Sequence, residues 1–446
     1  MLVTNQTKEG KDDMSIIPTR NNNRNPNSRC NLRGIRLFQK ILQDWFPVIC
    51  LLSLRKVVIS EIKKVLSCKD QRFCTVFGCS ECGHIKRVPF TCRSRFCPSC
   101  GALYNSQRAS SMSEKLLKLP HRHCIFTIPE DLRNYFLQNR SLLNLLFESA
   151  YEAYSSVLND VINGHRRRAG RKEIDCKTGL VSILHTFARS SDWNPHVHCL
   201  ALEGVLTSYG AWYNIKVIPY EPLRIAYQHI LLDKMTAAVP NFKPIADLMY
   251  KKYPEGFYVR LPRIPKQCSN SIKGLVKYVC RYLGRPCIAT SRIDSYDGQT
   301  VTYHYYAHVG QSDKTQYTKR SMPARDFVLM LAQHIQDPHF CNLRYYGIYS
   351  SKGQNSPHLL QALQKGNVNY LYSHTEKAHA TRMYYSHWRG AYKRAFGTDP
   401  LKCPCCGHTM GILFYEMNGK IVYSPPPRGS GCRARSAQTI EAICGA

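Results

Sequence analysis

The chain is short of acid. Its 446 residues include 30 Asp and Glu against 62 Lys and Arg, a net charge of +32. Self-repulsion on that scale points to a polyanionic partner, nucleic acid before any other. Long apolar runs are also missing. The longest, "WFPVICLLSL" at residues 45–54, is too short to span a bilayer and carries Pro47, so it reads as a packed segment. No Lys/Arg-rich amphipathic helix with a Trp/Leu face stands out, which sets aside a membrane-surface role. The opening residues "MLVTNQTKEGKDD" hold no apolar stretch of secretory type. There is no G-x-x-x-x-G-K loop for a nucleotide, no helicase segment and no evident internal repeat. These absences lead us to expect a cytoplasmic, nucleoid-associated protein of a bacterium or archaeon, without membrane or nucleotide cofactor.

What is present is cysteine. The 21 cysteines are clustered rather than spread, which in a reducing compartment reads as metal ligands plus buried thiols. "CSEC" and "CPSC" place Cys79, Cys82, Cys97 and Cys100 in two C-x2-C knuckles with 14 residues between them. Each knuckle grips an ion with two thiolates from a tight turn. Two knuckles complete a closed tetrahedral Zn²⁺ site, structural rather than catalytic. Cys68, Cys74, Cys92 and His84 remain as ligands of a second site or as ordinary thiols. "CPCCGH" adds a knuckle, Cys403 and Cys406, with no obvious second knuckle after it. The candidates for a second zinc are thus Cys68, Cys92, Cys403 and Cys406. Arg87, Arg93 and Arg95 read as phosphate contacts or as a solvated face.

Strand-like and helix-like segments interleave, which argues for an α+β or α/β nuclease-like core. We expect a flexible basic arm (1–32), a zinc-binding module with flanking helices (33–118), a catalytic domain (119–350) and a C-terminal basic region with a knuckle (351–446). In "NPHVHCL", His196 and His198 are two apart on a strand, so both side chains face one side and converge. Such a pair is either hydrogen-bonded in a core or exposed at a strand end, or it holds a divalent ion against a phosphodiester. In "SIKGLVKYVCRYL", a helix ending before Gly284 and Pro286, Tyr278 and Tyr282 are i and i+4 and share a face, either as an aromatic stripe packed into a core or, given basic company in Lys277, Arg281 and Arg285, as a face that meets phosphate. Attack by such a phenol leaves a 5′-phosphotyrosine and a free 3′-OH, storing the bond energy without ATP. "GHRRRAGRK" reads as a basic loop, in which Arg166, Arg167, Arg168, Arg171 and Lys172 track phosphates or stay solvated.

The cysteine module, the strand "HCIFTIP", the hairpin "LHTFARSSDWNPHVHCL", the helix "YVCRYLGRP", the segment "LRYYGIYS" and the tail "DPLKCPCCG" together resemble the HUH single-strand nucleases. More narrowly, they resemble the two-tyrosine transposases of the insertion sequence 91 family, from about Cys68 to His408. The resemblance implies an HUH antiparallel-sheet core and a rolling-circle-like DNA transposase. His196 and His198 match the family's metal pair, and Tyr278 and Tyr282 its catalytic tyrosines. Its partner would be single-stranded or hairpin DNA at element ends, with Mg²⁺ or Mn²⁺ at the catalytic site and structural Zn²⁺. Where the family commonly has a histidine before the last knuckle, this chain has Phe96, which favours a four-cysteine set. For a third ligand we expect His185. A hairpin loop at 189–194 would pair Ala188 with Pro195 and His185 with His198; the alternatives are a Gln, Glu or Asp from elsewhere, or His185 contacting DNA. A replication initiator of the same nuclease class, or a non-catalytic zinc-dependent DNA-binding regulator, are the rival functions.

Overall fold

A computed structural model describes residues 32–113, 115–264, 286–308, 315–370 and 388–423. Helices pack on antiparallel sheets. The central sheet has five strands in the order β13-β5-β6-β3-β9, every neighbouring pair antiparallel. They are β3 (His121–Thr127), β5 (Gly179–Phe187), β6 (Trp193–Leu202), β9 (Val259–Arg260) and β13 (Leu343–Gly347). β5 is buried along almost its whole length and β6 from Val197 onward, because both faces are covered there. One face buries Cys124, Phe126, Leu184, Val197, Cys199 and Ala201 under four helices. These are α4 (Glu130–Gln138), α5 (Leu143–Arg168), α6 (Tyr220–Ala238) and α7 (Lys243–Lys252). α5 supplies Leu143, Leu146, Phe147, Ala150, Ala153, Tyr154, Val157 and Leu158 to this core, the three-and-four spacing of an amphipathic helix. The other face buries Val181, Ile183, Leu200 and Leu202 against Met112, Leu116, Ile264 and Tyr349. Its histidines sit toward the β5–β6 turn.

A second core joins the two ends of the chain's first three-quarters, from Ile35 to Ile335. α1 (Leu32–Leu51) and α2 (Lys56–Leu66) pack with a three-stranded sheet of β10 (Ile293–Tyr296), β11 (Thr300–His308) and β12 (Thr315–Pro323), and with α8 (Ala324–Ala332). α3 (Pro98–Ser113) starts from the second knuckle. A third sheet, β15-β14-β1-β2, pairs β1 (Phe73–Gly78) and β2 (Ile85–Pro89) with β14 (Gly411–Met417) and β15 (Lys420–Tyr423). A small sheet of β4 (Cys176–Lys177), β7 (Gly204–Thr207) and β8 (Trp212–Asn214) flanks the centre. Among the described residues, no helix is long and apolar enough to cross a membrane.

Two sequence expectations change here. The β5–β6 connection is Ala188–Asp192, shorter than 189–194, with the Ala188 amide donating to the Asp192 carbonyl (2.9 Å) and Ser191 at φ +71°. His185 is therefore opposite His196, and Ile183 is opposite His198. The register differs from the expected one by two residues, and an even shift keeps the face. The basic loop is in part helix. Arg166, Arg167 and Arg168 form the last turn of α5, where cations meet the negative end of the helix dipole. The chain turns at Gly170 (φ +66°), and Arg171 and Lys172 are exposed beyond it. Arg166 Nε donates to the Lys172 carbonyl (2.6 Å), Arg168 Nε to the Gly164 carbonyl (3.2 Å), and Arg167 pairs with Glu173.

Candidate active site and metal centres

Three imidazoles gather at the β5–β6 turn end of the central sheet. His196 and His198 come from β6 and His185 from β5, and one ring nitrogen of each lies within 4.8 Å of the others. His196 Nδ1–H donates to the Asn194 carbonyl (2.7 Å), because a carbonyl can only accept. Its Nε2 lone pair is thereby left toward His198 Nε2, 3.1 Å away. His198 Nδ1 lies 3.0 Å from His123 Nε2, and the two rings stack at 5.2 Å. A ligand role for His198 Nε2 requires the proton on Nδ1, which then donates to His123. His123 had no reading from sequence. Its signal is alternation in "HRHCIFT": two residues from His121, it shares the His198 face once β3 pairs with β6.

Two of the rings, His196 and His123, are pushed toward the neutral form. Burial lowers the His196 pKa; the Asn194 carbonyl opposes that and the Arg133 charge adds to it. Burial also pushes His123 down to about 4, helped by the Arg260 charge. Neutral imidazoles keep the lone pairs a divalent ion needs. The β5–β6 turn beside them is anchored from several sides. Thr186 Oγ1–H donates to His334 Nδ1 (3.1 Å), whose Nε2–H donates to the Ser191 carbonyl (2.8 Å). Ser191 Oγ donates to the Cys287 carbonyl (2.8 Å), Tyr303 OH to the Ser190 carbonyl (2.8 Å), and Arg320 pairs with Asp192 (2.8 Å). Tyr278, Tyr282, Lys277, Arg281 and Arg285 lie outside the described residues.

The cysteines assemble differently from the expected set. Cys79 and Cys82 do not share a cluster with Cys97 and Cys100. The first set is Cys68, Cys92, Cys97 and Cys100, with Sγ separations of 3.5 Å (68–100), 3.5 Å (92–100) and 3.7 Å (97–68). It lies in the second core beside Phe38 and Phe96, whose rings meet at 5.9 Å. Gln39 of α1 donates to the Val65 (2.8 Å) and Cys68 (2.9 Å) carbonyls and fixes the end of α2 that presents Cys68. Phe96 is thus core, not ligand. The second set is Cys79, Cys82, Cys403 and Cys406, with Sγ separations of 3.4 Å (79–406) and 3.6 Å (82–403). A tetrahedral ion with S ligands at about 2.3 Å sets its sulfurs about 3.8 Å apart, so both sets suit Zn²⁺.

The physical reason for the regrouping is strand pairing. β1 and β14 pair from Phe73↔Met417 to Gly78↔Gly411, which brings the tail knuckle to the first one. The sequence did carry a signal, because "CSECGH" and "CPCCGH" repeat C-x-x-C-G-H. Cys74 is buried in β1 and joins neither set. The Cys403 thiol is lowered to about 6, chiefly by the Cys406 backbone amide. Of the nearby arginines, Arg95 donates to the Phe340 carbonyl (3.1 Å), Arg87 pairs with Glu416 (3.2 Å), and Arg93 is exposed at φ +54°.

Two family models match the chain. The one described as "Transposase zinc-binding domain" matches residues 37–128, and the one described as "Putative transposase" matches residues 179–357. The chain is similar to the transposase for insertion sequence element IS801 of Pseudomonas savastanoi pv. phaseolicola, at 27% identity over 378 residues, covering 80% of this chain and 84% of the relative. It is also similar to a Sinorhizobium fredii protein named "Putative transposase y4qJ", at 24% identity over 369 residues, 79% of this chain and 86% of that one. No solved structure matches.

Proposed function

The chain belongs to the insertion sequence 91 family of transposases, and from that premise we propose that it nicks and rejoins single-stranded DNA at element ends through Tyr278 and Tyr282. The observation that carries the reading is the cluster of His185, His196 and His198 on one face of an antiparallel sheet, the placement an HUH nuclease needs. A divalent ion bound there, Mg²⁺ or Mn²⁺, would supply Lewis-acid stabilisation to the phosphodiester oxygens. Everything else falls to the chain. The carbonyl of Asn194 and the ring of His123 orient the imidazoles, and burial favours neutral His196. The tyrosine oxygen forms a bond to phosphorus as the P–O3′ bond breaks. The phenol proton ends on the 3′ oxygen, leaving 5′-phosphotyrosine and a 3′-OH.

The described residues flanking the tyrosines support this reading. Ile264 packs in the core on the histidine side of the sheet, and Cys287 is tied to Ser191 in the turn beside His196. Lys277, Arg281 and Arg285 would steady the scissile phosphate. Arg166, Arg167, Arg168, Arg171 and Lys172 would track the strand, so that binding weakens steeply with salt. Cys68, Cys92, Cys97 and Cys100, all inside the span of the zinc-binding domain, would hold a structural Zn²⁺. The protein would act on the nucleoid, in the cytoplasm.

The test incubates the full chain with labelled single-stranded end DNA and Mn²⁺ or Mg²⁺. A denaturant-resistant protein–DNA adduct is expected. Tyr278→Phe with Tyr282→Phe should abolish it and keep binding. No adduct with either metal on either strand would sink the enzyme reading and leave a DNA-binding regulator.

A further inference from the structure

We propose that Cys79, Cys82, Cys403 and Cys406 bind a second Zn²⁺, which clasps the C-terminal strands to the N-terminal module as the two halves of one split zinc ribbon. Half of this site lies outside both family matches, since residues 403–406 fall beyond 37–128 and 179–357.

The two knuckles are built alike. In the first, the Gly83 amide donates to the Cys79 carbonyl (3.0 Å) and the Cys79 amide to the His84 carbonyl (3.0 Å). In the second, the Gly407 amide donates to the Cys403 carbonyl (3.1 Å) and the Cys403 amide to the His408 carbonyl (2.8 Å). Gly83 and Gly407 adopt φ of +70° and +76°, the left-handed turn that lets each loop curl around its two sulfurs. Two such loops, 321 residues apart between Cys82 and Cys403, meet with their four sulfurs within 4.8 Å. The separations are far above the ~2.05 Å of a disulfide and near those of a tetrahedral thiolate set.

A second observation points the same way. The β15-β14-β1-β2 sheet has little core of its own at this end. Its buried cluster there is Phe77, Cys79, Cys403 and Met410, with Val88 and Leu401 half-buried against it. An apolar cluster that small does not hold a sheet without a staple. A metal clip that closes so long a loop is an effective one. Cys82 and Cys406 are exposed, so this ion can be reached from solvent, whereas Cys68, Cys97 and Cys100 are buried.

The inference stands apart from the nuclease reading, and zinc content of the full chain tests it. Cys403→Ser with Cys406→Ser should remove one Zn²⁺ per chain. Cys79→Ser with Cys82→Ser should remove the same one. The four substitutions together should remove no more than either pair, because the pairs share an ion. Cys405→Ser, in the same loop, should remove none. In the paired variants, amide exchange should speed up across residues 411–423 while α1 and α2 stay protected, which reports that the rest is folded. Whatever the wild-type total, an unchanged content in the Cys403/Cys406 variant overturns the clasp. So do two ions lost on combining the pairs, or an intact mass with Cys79–Cys406 and Cys82–Cys403 disulfides.

Discussion

The buried thiol set draws Cys68, Cys92, Cys97 and Cys100 from 33 residues of chain, while the exposed set joins Cys79 and Cys82 to Cys403 and Cys406 across more than three hundred. Both offer four sulfurs at tetrahedral spacing. The first is set in a core shared by α1, α2, the β10–β12 sheet and α8. The second sits at the rim of a sheet with a small cluster of its own. Equal chemistry in unequal surroundings should have unequal consequences. A metal inside a core is part of folding, whereas a metal at a rim ties down the strands it touches.

The largest effect separates them directly. Cys97→Ser with Cys100→Ser leaves the buried Cys68 and half-buried Cys92 thiols without an ion in the second core. We expect a loss of at least about 5 kcal/mol, enough to leave that core unfolded. Cys403→Ser with Cys406→Ser should leave its thermal transition close to wild type. If both variants lose the same transition, the distinction between core and rim is wrong.

Acid tests burial away from both thiol sets. His121 and His334 are buried, with pKa values pushed down to about 4 by burial. His121 is fixed by Tyr349 (2.7 Å), and His334 by Thr186 and Ser191. Their folded values lie below the ordinary 6.5. Between about pH 6.5 and 4 the unfolded chain therefore binds more protons, and stability falls as pH falls through that window. Above it these groups contribute no pH dependence. At about 1.4 kcal/mol per unit, each could cost a few kcal/mol at the acid end. His334→Phe should flatten the pH dependence of the urea midpoint; an unchanged slope would count against burial as its cause.

How much of this was legible in sequence depended on the range of the interaction. His196 and His198 share a face by strand periodicity alone, and His185 reaches that face because the register differs from the expected one by an even number. The helical character of Arg166–Arg168 was obscured by glycine and arginine density, yet α5 runs on because its buried face continues to Leu158 and the basic turn caps it. All eight cysteines were visible as candidates, but their grouping was not. Proximity in sequence favoured joining Cys79 and Cys82 to Cys97 and Cys100, and the pairing of β1 with β14, a contact no local pattern encodes, decided otherwise.

The smallest prediction sharpens the contrast to single atoms. Gly83 and Gly407 sit at positive φ with room for a methyl: nothing lies within 4 Å of an added Cβ at Gly83, and at Gly407 the nearest atom is the flexible Lys402 Cε at 3.3 Å. Alanine there meets no serious clash, only the cost of the left-handed conformation, about 1 kcal/mol. Gly101, the corresponding residue of the buried set's knuckle, lies inside α3, and its added Cβ would meet the Arg95 carbonyl at an ordinary 3.5 Å. In a helix, alanine is favoured over glycine by about 0.5–1 kcal/mol. Gly83→Ala and Gly407→Ala should therefore each weaken zinc retention at the exposed set about fivefold in a chelator competition. Gly101→Ala should leave retention at the buried set unchanged or slightly stronger. The opposite signs follow from one knuckle ending in a turn and the other opening a helix. A loss of similar size at all three glycines would mean that the knuckles are built the same way.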